Sequence, residues 1–569
     1  MNATECLTKG PIRIALLVMV VIGTMLAGLA RADAAPHDAR LVADVLPGPS
    51  GSYADDLIAI GNTLFFSATT PESGHELWRY DGRKASQVAD VAPGPEGSNA
   101  QLLLAHEGFL YFRANDGTSG SELWRSDGTS VEQVMDLNPG EPSSSPTGLT
   151  PFGDHIYFVA TTQLTGTELW RTDGTTVELV MDINPGATSS GPQGLTVLNS
   201  RLYFGATTNL HGTEPWSTDG TTTAILQNIS PGANPSYPSG FTAFGDHVYF
   251  GATGVPGNEL WRSNGTMTNL VSDIRPGAMG SSPSGFEVFG DRLFFRANDG
   301  SSGIELWSTD GLTSSQAADI NPGADGSDVL DLTTIGSKLY FSADGGVQGD
   351  EPWAWNGTVA LPLGDVRPGE DGSSPDDFME LDRTVYFDAY TEQTGNELWA
   401  SDGTGFELAA DILPGPDDSD SDDFELMGDS IYFGANDGTH GYELFKLGPP
   451  DQAVTIRVNG KRIKLNRKGV GKLKLTCPEA EESGPCSGRV TLRSRGKVKV
   501  KKTRRRIVFA SAPYSIASGG SKTVKLKVPR RKHRILKKTK SARKAQVAVL
   551  VRDEAGNRAT KTRRLKLLP

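Results

Sequence analysis

The chain has 569 residues, with 55 Lys and Arg against 68 Asp and Glu, for a net charge of −13. That figure averages two opposite objects: residues 451–569 hold 36 basic and 6 acidic residues (+30), and the remainder holds 19 and 62 (−43). A uniformly acidic body is excluded, and a domain boundary is expected where the sign changes.

In chain order, Lys9 and Arg13 precede the apolar run Ile14 to Ala30, which ends in Ala30-Arg31-Ala32. A basic stretch, an apolar stretch and a small-x-small site read as a secretory signal peptide over 1–32. No other segment is apolar enough to span a membrane after cleavage. The expected localisation is secreted or at the cell surface.

From 39 to 447 one unit of about 46 residues recurs nine times. Its mark is a Glu-Leu/Pro-aromatic triplet, with the aromatic at Trp78, Trp124, Trp170, Trp216, Trp261, Trp307, Trp353, Trp399 and Phe445. A fixed period of this size means one supersecondary unit stacked on copies of itself. In the second unit, the runs starting at Gln101, Phe109, Glu122 and Val131 read as four short strands. Between them stand the turn formers Glu107-Gly108, Asn115 to Gly120 and Ser126-Asp127-Gly128-Thr129, where glycine accepts the positive φ that tight turns need. Apolar residues on both sides of the alternation demand cover on both faces. One four-stranded sheet cannot cover itself, so each is expected to stack between neighbours as a propeller blade. A recurring alanine (Ala68, Ala114, Ala160 and onward) suggests a crowded spot near the axis. The last unit lacks its fourth strand, and a spare one, Leu41-Val42-Ala43-Asp44-Val45, stands before the first. Pairing the two would close the ring and leave no open edge. The expected fold is all-β: a closed propeller of nine four-stranded blades, more than the usual four to eight, followed by an immunoglobulin-like β-sandwich.

Glu122 to Thr129, Glu168 to Thr175 and Glu397 to Thr404 each spell Glu-Leu-Trp-x-x-Asp-Gly-Thr. On these residues the unit resembles the ELWxxDGT repeat family, tandem arrays in large secreted or surface proteins of bacteria. Pro215, Pro352, Asn264 and Phe445 depart from the motif. The resemblance covers 39–447. It implies repeat architecture and an extracellular setting, and it carries no common activity.

Gly448-Pro449-Pro450 opens an expected linker over 448–453, and a basic domain follows over 454–569. Lys472-Leu473-Lys474-Leu475, Val498-Lys499-Val500-Lys501 and Val524 to Val528 alternate as half-buried strands do, and Gln546 to Val551 runs into a turn at 553–557. Their number suggests the immunoglobulin-like sandwich. Arg530 to Lys544 reads as a short basic helix or loop. In an exported chain Cys477 and Cys486 are expected to form a disulfide, worth about 2.5–3 kcal/mol by loop closure. With no histidine near, two thiols are too few for a metal site.

A feature present in every copy reports folding, whereas a site breaks the symmetry. The recurring Asp of Asp-x-x-Pro-Gly (Asp44, Asp90, Asp136, Asp182, Asp273, Asp319, Asp365, Asp411) has Asn228 in its remaining place. Asn serves a turn as well as Asp and a cation less well, so these residues are read as bonding the N–H groups of the following turn. Asn115-Asp116-Gly117 and its counterparts lack the rest of an EF-hand loop and are read as turn formers. The symmetry breaks at 416–423, where Asp417, Asp418, Asp420, Asp422 and Asp423 are the candidate binding residues, with Glu370-Asp371 and Asp376-Asp377 one repeat earlier. Ca²⁺ takes carboxylate oxygens at such places and is the candidate cofactor, with no ligand set assigned. A solvated, self-repelling loop is the simpler alternative.

Histidines are scattered, and there is neither a Gly-x-Ser-x-Gly elbow nor a phosphate loop, so no catalytic residue is assigned. The expected function is an exported binding or scaffolding protein. Its acidic propeller would be a recognition platform, and its basic domain would attach to anionic cell-envelope polymers or another surface protein. A glycan is a further candidate partner. Nucleic acid is disfavoured by export and by the missing aromatic interleaving. The alternative from another class is a propeller-based polysaccharide hydrolase or lyase.

Overall fold

The computed structural model describes residues 38–449, 456–477, 486–500, 503–517, 520–552 and 558–569. The expected signal peptide, most of the expected linker and the turn at 553–557 lie outside them.

Each repeat forms a four-stranded antiparallel sheet. In the first, the strands are Asp55–Ile60, Thr63–Thr70, Gly74–Tyr80 and Ala85–Gln87. Nine such sheets follow one another and are numbered 1 to 9 here by the chain order of their first strands. The Asp-Gly-Thr turn shows why the motif recurs. Asp127 Oδ1 accepts the N–H groups of Thr129 and Ser130 and the Thr129 hydroxyl, each at 2.8 Å. These bonds, the Thr129 hydroxyl first, hold the Asp127 carboxyl well below its ordinary range. Gly128 supplies the left-handed residue, φ +83°.

Sheet 9 takes three strands from the end of the array: Asp422–Met427, Ser430–Asn436 and Tyr442–Gly448. Its fourth is Asp38–Ala43, antiparallel to Tyr442–Gly448 with Leu41 opposite Phe445. Strand alternation then places successive residues on opposite faces. Ile156, Phe158 and Ala160 of sheet 3 pack against Tyr111 and Leu123 of sheet 2. The intervening Tyr157, with Leu169, packs against Leu202, Phe204, Ala206 and Trp216 of sheet 4. Met427, Tyr432 and Leu444 of sheet 9 likewise meet Leu64, Phe66 and Ala68 of sheet 1. First strands of consecutive sheets touch in cyclic order, and Asp422–Met427 returns to Asp55–Ile60. The architecture is thus all-β, with propeller-like blades. The recurring alanines lie in these inter-sheet cores, and the carbonyls of Ala114, Ala160, Ala252, Ala343 and Ala389 accept an indole N–H from the adjacent strand, as in Trp170 to Ala160 at 3.1 Å and Trp399 to Ala389 at 3.0 Å. The indole N–H groups of Trp78, Trp216 and Trp307, by contrast, are buried without a partner among the described residues.

The triplet glutamate proves to be the anchor of the repeat. Glu76 is fully buried. It accepts the N–H groups of Val91 (3.2 Å), Ala92 (3.1 Å) and Ser98 (2.9 Å) and the Ser98 hydroxyl (2.7 Å). One side chain thereby fastens the fourth strand's exit and the approach to the next sheet. In sheet 9 Glu443 does the same across the termini, taking Val45 N–H, Leu46 N–H and the Ser52 hydroxyl. This corrects the role expected for the Asp of Asp-x-x-Pro-Gly. Asp182 does accept Gly186 N–H at 3.1 Å, but one oxygen each of Asp136, Asp182, Asn228 and Asp365 is buried without a partner. Glutamate reaches the turn from the neighbouring strand, where the shorter aspartate beside it does not.

In the basic region the alternating runs form strands as expected. Arg457–Asn459, Val470–Thr476 and Ser521–Lys527 make one sheet. Arg462–Lys464, Arg558–Leu568, Lys544–Arg552, Cys486–Ser494 and Val508–Ile516 make a second, with a parallel pairing between the first two. Leu473, Leu475, Leu526, Val490, Phe509 and Val547 join in one core, while the intervening Lys472 and Lys474 face solvent. Cys477 and Cys486 are bonded, nine residues apart. Arg530–Lys538 is a helix that buries His533 and Leu536 and exposes Arg530, Arg531, Arg534, Lys537 and Lys538.

Candidate functional site

In eight of the nine sheets the second residue of the first strand is left-handed and adjoins a bulge; in sheet 2 that place is Leu102, which is not. Sheets 3 to 6 place Gly148, Gly194, Gly240 and Gly285 there, at φ of +64° to +68°. Sheets 1, 7, 8 and 9 place Asp56, Asp331, Asp377 and Asp423 there, at φ of +52° to +57°. A side chain in this conformation costs roughly 1 kcal/mol relative to glycine, so aspartate is retained at some expense. Three of the four carboxylates reach the next sheet: Asp377 accepts Asp423 N–H, Asp423 accepts Leu57 N–H and Asp56 accepts Leu102 N–H.

The residue before each bulge continues the break in symmetry. It is Thr147, Gln193, Ser239 and Ser284 in sheets 3 to 6, but Asp376, Asp422 and Asp55 in sheets 8, 9 and 1. Asp376 lies opposite Asp388 on the second strand, and the two carboxyls are in hydrogen-bond contact. Asp388 is 7 % exposed, and Asn396 Nδ2 donates to its Oδ2 at 2.7 Å. In sheet 9 the matching place is Gly434, where a Cβ would collide with the Tyr442 ring. The Tyr442 hydroxyl donates to Asp422, and its ring stacks on exposed Tyr53 at 6.1 Å. An arc of carboxylates therefore runs along the innermost strands of four consecutive sheets.

Burial pushes Asp377 up to about 6, assisted by the charges of Asp376, Asp422 and Asp331. Burial likewise pushes Asp423 up to about 7, with Asp55, Asp56 and Asp422 adding to it. Asp388 is raised further, by burial first and then by Asp376. In each case the folded state holds its proton more tightly than the unfolded chain, so it binds more protons between the two pKa values. Stability contributed by the arc is therefore full near pH 4 and is lost as pH rises through about 6 and 7. The melting temperature is expected to fall between pH 5 and pH 8, and Asp388→Asn should flatten that slope while keeping the bond to Asn396. Thermal scans across pH test this, and a wild-type melting temperature rising over that interval would refute it.

The structure places the five candidate residues of 416–423 in different surroundings. Asp417 and Asp418 lie exposed on the connection. Asp418 Oδ1 accepts Asn396 N–H at 2.8 Å, the role that Ser143 and Ser189 hydroxyls play elsewhere, so Asp418 is a turn fastener. Asp420 occupies the left-handed turn residue, φ +47°, and its carboxyl is raised by burial and by Asp418. Of the five, only Asp422 and Asp423 join the arc, beside Asp376 and Asp377, also singled out in the sequence; its further members Asp55, Asp56, Asp331 and Asp388 were missed. A signal was present: Asp56, Asp331, Asp377 and Asp423 each stand 20 residues before a triplet glutamate. The calcium expectation finds no ready ligand set, since among the described residues no group of three or more His, Cys, Asp or Glu is disposed to hold a metal ion. Asn115-Asp116-Gly117 is a turn as expected, with Asp116 accepting Thr118 and Ser119 N–H at 2.8 Å.

No family model matches the chain. No curated protein matches it. Among solved structures, PorZ, a surface component of the type-IX secretion system of Porphyromonas gingivalis, is 11 % identical, with 90 % of this chain and 75 % of that one covered and a TM-score of 0.34. The GH74 xyloglucanase of Xanthomonas campestris is 13 % identical, covering 88 % and 96 %, with a TM-score of 0.27. A puromycin-hydrolysing peptidase of Mycobacterium tuberculosis is 11 % identical, covering 63 % and 62 %, at 0.33. The chain thus spans under two thirds of that peptidase. Likenesses this distant assign no activity. Among the described residues no helix is long and apolar enough to cross a membrane.

Proposed function

We propose that this chain is an exported binding or scaffolding protein of the ELWxxDGT repeat type. In this reading its nine sheets are the blades of one closed propeller, the carboxylate arc is its recognition surface, and the C-terminal region is an immunoglobulin-like module that attaches to anionic envelope polymers. The observation that carries it is the break in repeat symmetry: the second residue of the first strand is neutral in sheets 2 to 6 and acidic in 7, 8, 9 and 1. The cyclic contact of first strands supports the closed ring. The exposed basic face of Arg530–Lys538 supports polyanion attachment through charge alone.

The full chain is expected to be retained on immobilised poly(glycerol phosphate) and to elute as NaCl rises toward about 0.5 M, where screening shortens to a few ångströms. The triple variant Arg531→Glu, Arg534→Glu, Lys538→Glu should elute earlier. Retention indifferent to salt would sink the attachment reading. New reducing ends or unsaturated products from soluble glycans would replace it with hydrolase or lyase activity.

A further inference from the structure

At the connection from sheet 5 to sheet 6 lies a cavity of about 430 Å³, lined by Asn258, Arg275, Ser282, Ser284, Arg296 and Asn298 among others. Two arginines in one hollow are unusual in a part of the chain whose net charge is −43. Among the described residues neither is within ion-pair distance of a carboxylate.

The repeat supplies its own control for Arg275. The same place two repeats later is Arg367, which pairs with Asp371 at 3.1 Å and Glu392 at 3.2 Å and lies over the Tyr390 ring. At Arg275 the counterparts of both acids are gone: the residue four further on is Met279, and the residue 25 further on is Gly300. Among the described residues, the partner of Arg275 Nη2 is the Met279 sulfur, at 3.7 Å. Asp299, beside Gly300, commits its oxygens to Ser301 and Ser302. A side chain at Gly300 would itself press on the Arg275 guanidinium.

Arg296 breaks symmetry independently. It holds the second-strand place that is Gly205 in sheet 4 and Gly251 in sheet 5. Its Nε donates to Ser284 Oγ at 2.9 Å and its Nη1 to the Val329 carbonyl at 3.5 Å, which steers the guanidinium and leaves its remaining N–H donors for a ligand. Its charge reaches Asp331 on sheet 7 without forming an ion pair. Asn258 contributes an amide oxygen buried without a partner. Ser239, Ser282, Ser284 and Asn298 complete a polar lining of the kind that can pair with a polyhydroxylated ligand.

Half-buried guanidinium groups stripped of counter-ions favour an oxyanion, and a fork of donors suits a carboxylate. The volume exceeds a bare ion and matches a small ligand. We infer that this cavity binds an acidic saccharide, with Arg275 and Arg296 gripping its carboxylate. The inference is independent of the basic C-terminal region and meets the carboxylate arc only through the charge of Asp331 on Arg296.

Titration calorimetry on the full chain tests it with digalacturonate, its dimethyl ester, and inorganic phosphate. Digalacturonate should bind saturably, and the ester at least ten-fold more weakly. Arg296→Gln should weaken binding at least ten-fold. Met279→Asp, which recreates the self-pairing seen at Arg367, should do the same while leaving thermal stability unchanged or higher. Digalacturonate that does not bind, or binds equally to wild type and Met279→Asp, would overturn the assignment. Phosphate binding as tightly as digalacturonate would overturn the saccharide part. Elution from poly(glycerol phosphate) is read separately, so failure here is distinct from failure of the attachment reading.

Discussion

Deletion of residues 37–46 is expected to destroy the folded monomer. The loss removes the strand Asp38–Ala43, exposes the edge of Tyr442–Gly448 and strips Ala43 from the core shared by sheets 9 and 1. It also leaves the buried Glu443 without the Val45 and Leu46 N–H groups. A buried carboxylate with two of its three donors gone costs several kcal/mol, against a total stability of about 5–15 kcal/mol for a typical protein. The bare edge adds a route to aggregation. Size-exclusion chromatography and near-ultraviolet circular dichroism would register the change. A synthetic peptide spanning 37–48 should restore monomer when added during refolding, because the missing strand is supplied in trans. A deletion variant that stays monomeric with an unchanged melting temperature would show that the termini do not hold sheet 9 together.

Glu76→Ala is the second large effect. Four donors lose their acceptor at once in a fully buried place, and each orphaned buried donor costs about 1–3 kcal/mol, relieved where water can enter. A net loss of about 3–5 kcal/mol is expected for a broken buried charged network. Glu76→Gln keeps one acceptor oxygen and should lose less. Denaturant unfolding of both variants distinguishes this from a packing effect, since alanine and glutamine would then rank by volume alone. A change within about 0.5 kcal/mol for Glu76→Ala, the range of an ordinary surface substitution, would remove the anchor role.

The burial of Glu76 also shows where a reading of residues falls short. Its partners stand 15, 16 and 22 positions further on, across a strand and two turns, so no local pattern ties them together. The Asp of Asp-x-x-Pro-Gly was the nearer candidate for the same N–H groups, and it largely lost to a side chain one methylene longer, projecting from the adjacent strand. The acidic stretch 416–423 misled in the opposite direction. Crowding in sequence suggested one site, yet Asp418 fastens a turn while Asp422 and Asp423 face carboxylates from two other repeats.

Period and alternation were sufficient to foresee four strands per repeat, apolar on both sides and stacked on their neighbours, because hydrogen bonding along a strand and burial of its two faces are set within a few residues of the chain. Which charges meet was decided only in three dimensions. Asp423 bonds the N–H of Leu57, 366 residues away, and Asp376 confronts Asp388 through a register that a one-residue slip would abolish. Electrostatic interactions act through space and depend on burial. They therefore took their values when sheet 9 came to rest against sheet 1 and lifted those carboxylates out of water.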